Sequence, residues 1–175
     1  MQHKQDGFSL IEVLVSITIL SIISVSLISI FSQSLSASRT STELTFANYL
    51  AKNATSYIKR EAIEATTNEA FSFVSLSQEA LKAVYLNGNY VIPEPATPSC
   101  GVSAICMSIF TDPEINNISF DVKYSVTPHK MEGEVNPNLL DLYVYVYVEG
   151  TTEPITTLKG SITNATLNQS FPTTK

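Results

Sequence analysis

Between Val13 and Phe31 the chain runs without a charge, a glycine or a proline. As a helix, that run rises roughly 28 Å at about 1.5 Å per residue, enough to cross the hydrocarbon of a bilayer. A membrane anchor is therefore the first element expected. At 175 residues and 44% hydrophobic content, what remains is enough for one packed domain of ordinary size. A secretory signal peptide cut after Ser36, Ala37 and Ser38 is the competing reading, but its apolar region would be about twice the usual 7 to 15 residues. The basic residues do not orient the span: His3, Lys4 and the amino terminus precede it and Arg39 follows it.

The formal charge of −6 and pI near 4.8 weigh against a surface that gathers polyphosphate by bulk electrostatics, so no nucleic-acid partner is expected. Cys100 and Cys106 are the only cysteines. Their even count suits an oxidising compartment, and a bridge would close a small loop with a stabilisation of roughly 2 to 3 kcal/mol on the loop-entropy model. Two free thiols are the alternative. Without His or Cys companions the pair makes a poor zinc site, so no metal and no cofactor is expected.

Glu12 stands just inside the apolar stretch, after a short polar leader with one lysine. Near a helix start, the dipole and the lipid headgroups lower the cost of a carboxylate, which makes an interfacial acid without special role the plain reading. The surrounding Gly7-Phe8-Ser9-Leu10-Ile11-Glu12-Val13-Leu14-Val15 resembles the class III signal of type IV pilins and of the pseudopilins of type II secretion and competence machines. That resemblance covers the leader and the amino-terminal helix only. It implies that a prepilin peptidase cuts after Gly7, that Phe8 becomes the N-methylated first residue, and that Glu12 pairs with the amino terminus of a neighbouring subunit. A carboxylate in hydrocarbon costs about 2.5 to 3.5 kcal/mol on insertion scales, less near the interface, and a partner ammonium offsets much of that. Phe8 and Glu12 are also four apart on one helix face, so pairing within one subunit competes. Ser29 stands where many major pilins have a proline and Ser21 where a glycine is frequent, which tilts the resemblance toward a minor pilin or pseudopilin. Ser16, Ser21, Ser24, Ser26 and Ser29 can bond carbonyls one turn back and allow close helix packing.

The helical pattern continues. Leu44, Ala47, Leu50, Ala51, Ala54, Ile58, Ala62 and Ala65 recur at steps of three and four, with Lys52, Asn53, Lys59, Arg60 and Glu61 mostly between them. No breaker intervenes from Phe8 to Ala65, which allows one helix of roughly 85 Å. Residues 66 to 117 are less legible. Ser75 with Gln78 suggests a capped short helix reaching Leu86, Asn87-Gly88-Asn89 a turn, and Pro93 to Pro98 an extended loop. Beyond them Ile118, Phe120, Val122, Tyr124 and Val126 alternate with polar residues, as do Leu140, Leu142, Val144, Val146 and Val148. Two half-buried strands are expected, joined by His129 to Asn138, with a third from Ile155 to Ile162.

The fold class expected is α+β, with a long amino-terminal helix packed on a carboxy-terminal antiparallel sheet, which is also the fold the resemblance implies. The divisions are a leader (1–7), a transmembrane and assembly helix (8–31), its amphipathic continuation (32–65) and a globular head (66–175). Tyr143, Tyr145 and Tyr147 form an outward ladder that suits a binding face for sugar or a partner subunit; cross-strand packing and β-propensity explain it equally. No catalytic set is evident: His3 leaves with the leader, His129 is alone in a loop, and Glu132 and Glu134 read as solvated, so no enzyme is expected. The resemblance implies a minor pilin made in the cytoplasmic membrane with its amino terminus inside, then moved into an extracellular or periplasmic filament. Its partners would be other pilins, the prepilin peptidase, the inner-membrane assembly platform and, before assembly, lipid. A pseudopilin, or an anchored binding domain that never polymerises, are the alternatives.

Overall fold

The computed structural model describes residues 9–64, 69–83, 85–86, 89–131 and 134–164. The chain divides into two compact units, 1–42 and 43–175. Helix α1, Leu10–Glu64, supplies the described part of the first unit beyond Ser9 and the leading element of the second.

Within the first unit every described residue is exposed, including the large apolar side chains from Leu10 to Leu35. A helix apolar around its circumference requires hydrocarbon or other helices as its environment. Several of its hydroxyls are satisfied internally: Ser16, Ser21, Ser24 and Ser26 each donate to the carbonyl four residues back at 2.7 to 2.9 Å, and Thr18 donates to the Val15 carbonyl at 2.8 Å. Such bonding keeps a polar atom from facing lipid unpaired.

In the second unit, the later part of α1 buries Ala47, Leu50, Ala51, Ala54, Ile58 and Ala62, the stripe its spacing predicts. Burying Leu50 and Ile58 stabilises by roughly 1.5 to 3 kcal/mol each. Leu44, expected in that stripe, is exposed, whereas Tyr57 and Glu61 are buried. Glu61 thus departs from its expected polar position; Arg60 Nη2 lies 3.8 Å from its Oε1. Ala65 lies outside the described residues.

The stripe covers a four-stranded antiparallel sheet of order β3-β4-β5-β6, comprising β3 (Glu114–Ile115), β4 (Ile118–Met131), β5 (Glu134–Val148) and β6 (Thr156–Thr163). Phe120, Val122, Tyr124 and Val126 face the core beside Leu140, Leu142, Val144 and Val146, as the period of two requires. Gly160 marks a close approach of helix and sheet, since a Cβ there would lie 3.3 Å from Thr55 Cγ2 and Lys59 Cε. Asn116 and Asn117, both at positive φ, close the β3–β4 hairpin in the manner that two-residue loops favour. The connection between the long strands is shorter than expected: β4 continues through His129 to Met131 and β5 begins at Glu134, with a register shift at Pro128/His129. A bulge is where a strand proline is tolerated.

Two short helices complete the core. Ser72, not Ser75, caps α2 (Phe73–Ala80), its Oγ accepting from the Ser75 N–H at 3.2 Å. That helix stops well before Leu86, which belongs to the two-residue strand β1 (Tyr85–Leu86) paired with β2 (Asn89–Tyr90); Asn87 and Gly88 lie outside the described residues. The extended stretch from Pro93 meets β4 at Ala96, which exchanges hydrogen bonds with Tyr124 at 2.9 and 3.0 Å. Helix α3 (Ala104–Phe110) follows, capped by Ser103. Phe71, Phe110, Tyr57 and Tyr124 then form one aromatic cluster, with ring centroids 5.5 to 6.3 Å apart.

Candidate functional site

Three places carry the chemistry singled out in the sequence. The first is the start of α1. Ser9 caps the helix, its Oγ accepting from the Glu12 N–H at 3.3 Å and its carbonyl from the Glu12 and Val13 N–H groups at 3.1 and 3.3 Å. Ser9-Leu10-Ile11-Glu12 carries the S-x-x-E spacing of a capping box, so Glu12 occupies the first turn, where the positive end of the dipole favours its charge. This capping role of Ser9 is an addition to the sequence reading, although the spacing that signals it is plain. Gly7 and Phe8 lie outside the described residues.

The second place is the cysteine loop. Cys100 and Cys106 are bonded, with an S–S distance of 2.03 Å. Ser103, inside the loop, accepts from the Cys106 N–H at 3.3 Å and lies 3.1 Å from the Tyr57 hydroxyl of α1. The loop is thereby docked onto the helix, with Val102 at its tip almost wholly exposed.

The third is the sheet face turned away from the core. Tyr143, Tyr145 and Tyr147 are half-buried there, opposite Ser125, Lys123 and Asp121 of β4. Lys123 Nζ sits 5.1 Å from the Tyr147 ring centroid and 2.7 Å from Asp121 Oδ2. The Asp121 carboxylate raises the Lys123 pKa above its ordinary value, and burial raises that of Tyr147. Lys159 of β6 lies 5.3 Å from the Tyr143 centroid and 3.1 Å from Asp141 Oδ2, and the hydrogen bond to Asp141 raises its pKa. Asp141 Oδ1 takes the His129 Nδ1 at 2.9 Å. His129 is therefore a strand residue with a carboxylate partner, not a lone loop histidine. Among the described residues no group of three or more His, Cys, Asp or Glu is arranged to hold a metal.

With this geometry in place, residues 2–28 match the family model described as the prokaryotic N-terminal methylation motif. That motif is the prepilin-type signal, the hallmark of type IV pilins and pseudopilins. It supports a pilin- or pseudopilin-like precursor, and the long helix on a four-stranded antiparallel sheet is consistent with the pilin fold. The motif points to a structural subunit rather than an enzyme, to processing by a peptidase and assembly with other pilins, and to a membrane-anchored precursor. Neither the comparison with curated proteins nor that with solved structures returned a match.

Proposed function

We propose that the chain is a minor type IV pilin. It is made in the cytoplasmic membrane with its amino terminus inside, cut between Gly7 and Phe8, N-methylated on Phe8, and drawn by an inner-membrane assembly platform into an extracellular filament or its initiating complex. Residues 8–31 serve as the transmembrane and assembly helix, 32–65 as its continuation and 66–175 as the head. The observation that carries this reading is the methylation motif at residues 2–28 overlapping the first part of α1, where the large apolar side chains from Leu10 to Leu35 are all exposed. Ser21 and Ser29 stand in an unbroken helix, which favours a minor subunit over a major one with a melted segment.

Glu12 supplies the selective step. On insertion scales a carboxylate in hydrocarbon costs about 2.5 to 3.5 kcal/mol, and a neighbour's new amino terminus offsets it. Cutting the leader creates that amine at the edge of the apolar helix and removes the polar residues that would otherwise have to enter the filament. The test is Glu12→Ala in the intact cell. Cleavage after Gly7 stays normal, while recovery in fibres sheared from the surface falls roughly tenfold, the loss that goes with about 1.4 kcal/mol. Recovery equal to the parent would remove the assembly role of Glu12.

A further inference from the structure

At the bulged end of its outer face the sheet carries a recess of about 270 Å3, lined by Tyr90, His129, Lys130, Asp141, Tyr143 and Lys159 among others. Its charged groups are held in place. Asp141, 15% exposed, has one oxygen on His129 at 2.9 Å and the other on Lys159 at 3.1 Å. That carboxylate therefore holds the His129 and Lys159 side chains rather than offering itself to a ligand. The lysine is 57% exposed and an ammonium has three donors, so after its hydrogen bonds to Asp141 and Tyr143 Lys159 keeps one N–H for the recess. Lys130 Nζ lies 5.5 Å from the Tyr90 ring centroid, as Lys159 does near Tyr143 at 5.3 Å.

The lining carries two lysines and one aspartate, on a chain whose formal charge is −6. An anionic group is favoured here over the rest of the surface. A bare anion has no use for two tyrosine rings, whereas a sugar ring carrying a carboxylate does: its C–H face packs on an aromatic ring and its acid meets the ammonium. The volume is slightly below the roughly 300 to 1,000 Å3 of drug-sized sites, which suits a single sugar residue.

We propose that this recess binds one acidic sugar, a uronic acid unit of a glycan, with the carboxylate at Lys159 and the ring face on Tyr143. The inference concerns the head alone and stands apart from the filament reading, since it requires neither cleavage nor assembly.

The test is a titration of the full-length protein in a sugar-free zwitterionic detergent, read by ligand-observed NMR, with the methyl glycosides of glucuronic acid and glucose and with acetate as probes. Saturable glucuronide binding is expected with a Kd on the order of 1 mM, roughly tenfold tighter than either the neutral glycoside or acetate. Lys159→Gln and Tyr143→Leu each weaken it roughly tenfold with far-UV circular dichroism unchanged. Lys123→Gln, on the same face but outside the recess, leaves it unchanged. Absence of saturable binding overturns the proposal. Equal affinity for acetate and the glucuronide reduces the recess to a carboxylate contact and rejects the sugar, and equal affinity for the neutral glycoside rejects the role of Lys159. Equal weakening by Lys123→Gln rejects the location.

Discussion

Ser103 joins three parts of the head, and its removal is a quantitative test of how they are coupled. It caps α3 through the Cys106 N–H and meets the Tyr57 hydroxyl of α1 at 3.1 Å, inside the loop closed by Cys100 and Cys106. Losing a serine cap costs about 1 kcal/mol. The Tyr57–Ser103 hydrogen bond is worth about 1 kcal/mol net, and Tyr57 is only 4% exposed, so its hydroxyl gains little from water when its partner is deleted. Ser103→Ala is thus expected to destabilise the head by about 2 kcal/mol. Tyr57→Phe should cost about 1 kcal/mol, and the double variant about 2, because the shared bond is lost only once. The interaction energy of the cycle is then about 1 kcal/mol. Tryptophan is absent, so the assay is urea unfolding of the full chain in detergent followed by tyrosine near-UV circular dichroism. A loss of 2 kcal/mol lowers the midpoint by about 1 M at a slope of about 2 kcal/mol/M. Strictly additive single variants, or a Ser103→Ala cost below about 0.5 kcal/mol, would refute the coupling of loop, cap and helix.

Two further predictions follow from the head. Replacing both Cys100 and Cys106 by serine removes a bridge spanning six positions and should cost about 2 kcal/mol on the loop-entropy model; thiol labelling of the parent should need reductant, and equal labelling without it would reject the bridge. Alkaline pH should unfold the head through groups that titrate in the same direction. Burial, reinforced by Glu79, raises the Tyr124 pKa, and Asp121 and Asp141 raise those of Lys123 and Lys159. Each of these groups holds its proton more tightly in the folded chain. Their stabilisation is full below the unfolded values of about 10 to 10.4 and is lost as pH rises through the folded ones. Urea midpoints should be level up to about pH 10 and fall above it, less steeply in Tyr124→Phe; a slope unchanged by that substitution would exclude Tyr124 as a contributor.

The legible parts of the fold are those whose signal is local and periodic. The buried stripe of α1 and the inward residues of β4 and β5 follow from steps of three or four and of two, because burial on one face imposes that spacing. Residues 66 to 117 are less legible for the opposite reason: Phe71 and Phe110 are placed by contacts with Tyr57 and Tyr124, distant in sequence. Glu61 shows the same limit, since a charge on the core face breaks the pattern that predicts exposure. His129 and Asp141 meet because β4 and β5 pair, which makes them diagonal neighbours across the strands, and periodicity within one strand does not encode that pairing. Ser9 and the Asn116-Asn117 turn are different, because capping-box spacing and a paired-asparagine turn were present in the residues themselves.

The central claim is that a trimmed apolar helix, freed of its polar leader, places a new amino terminus within reach of an acid such as Glu12. The most direct measurement is the intact mass of the protein extracted from its native membrane or fibres. A chain that begins at Phe8 and carries one added methyl is the result the account predicts. A chain in assembled fibres that still begins at Met1, or one that begins at Arg39, would contradict it.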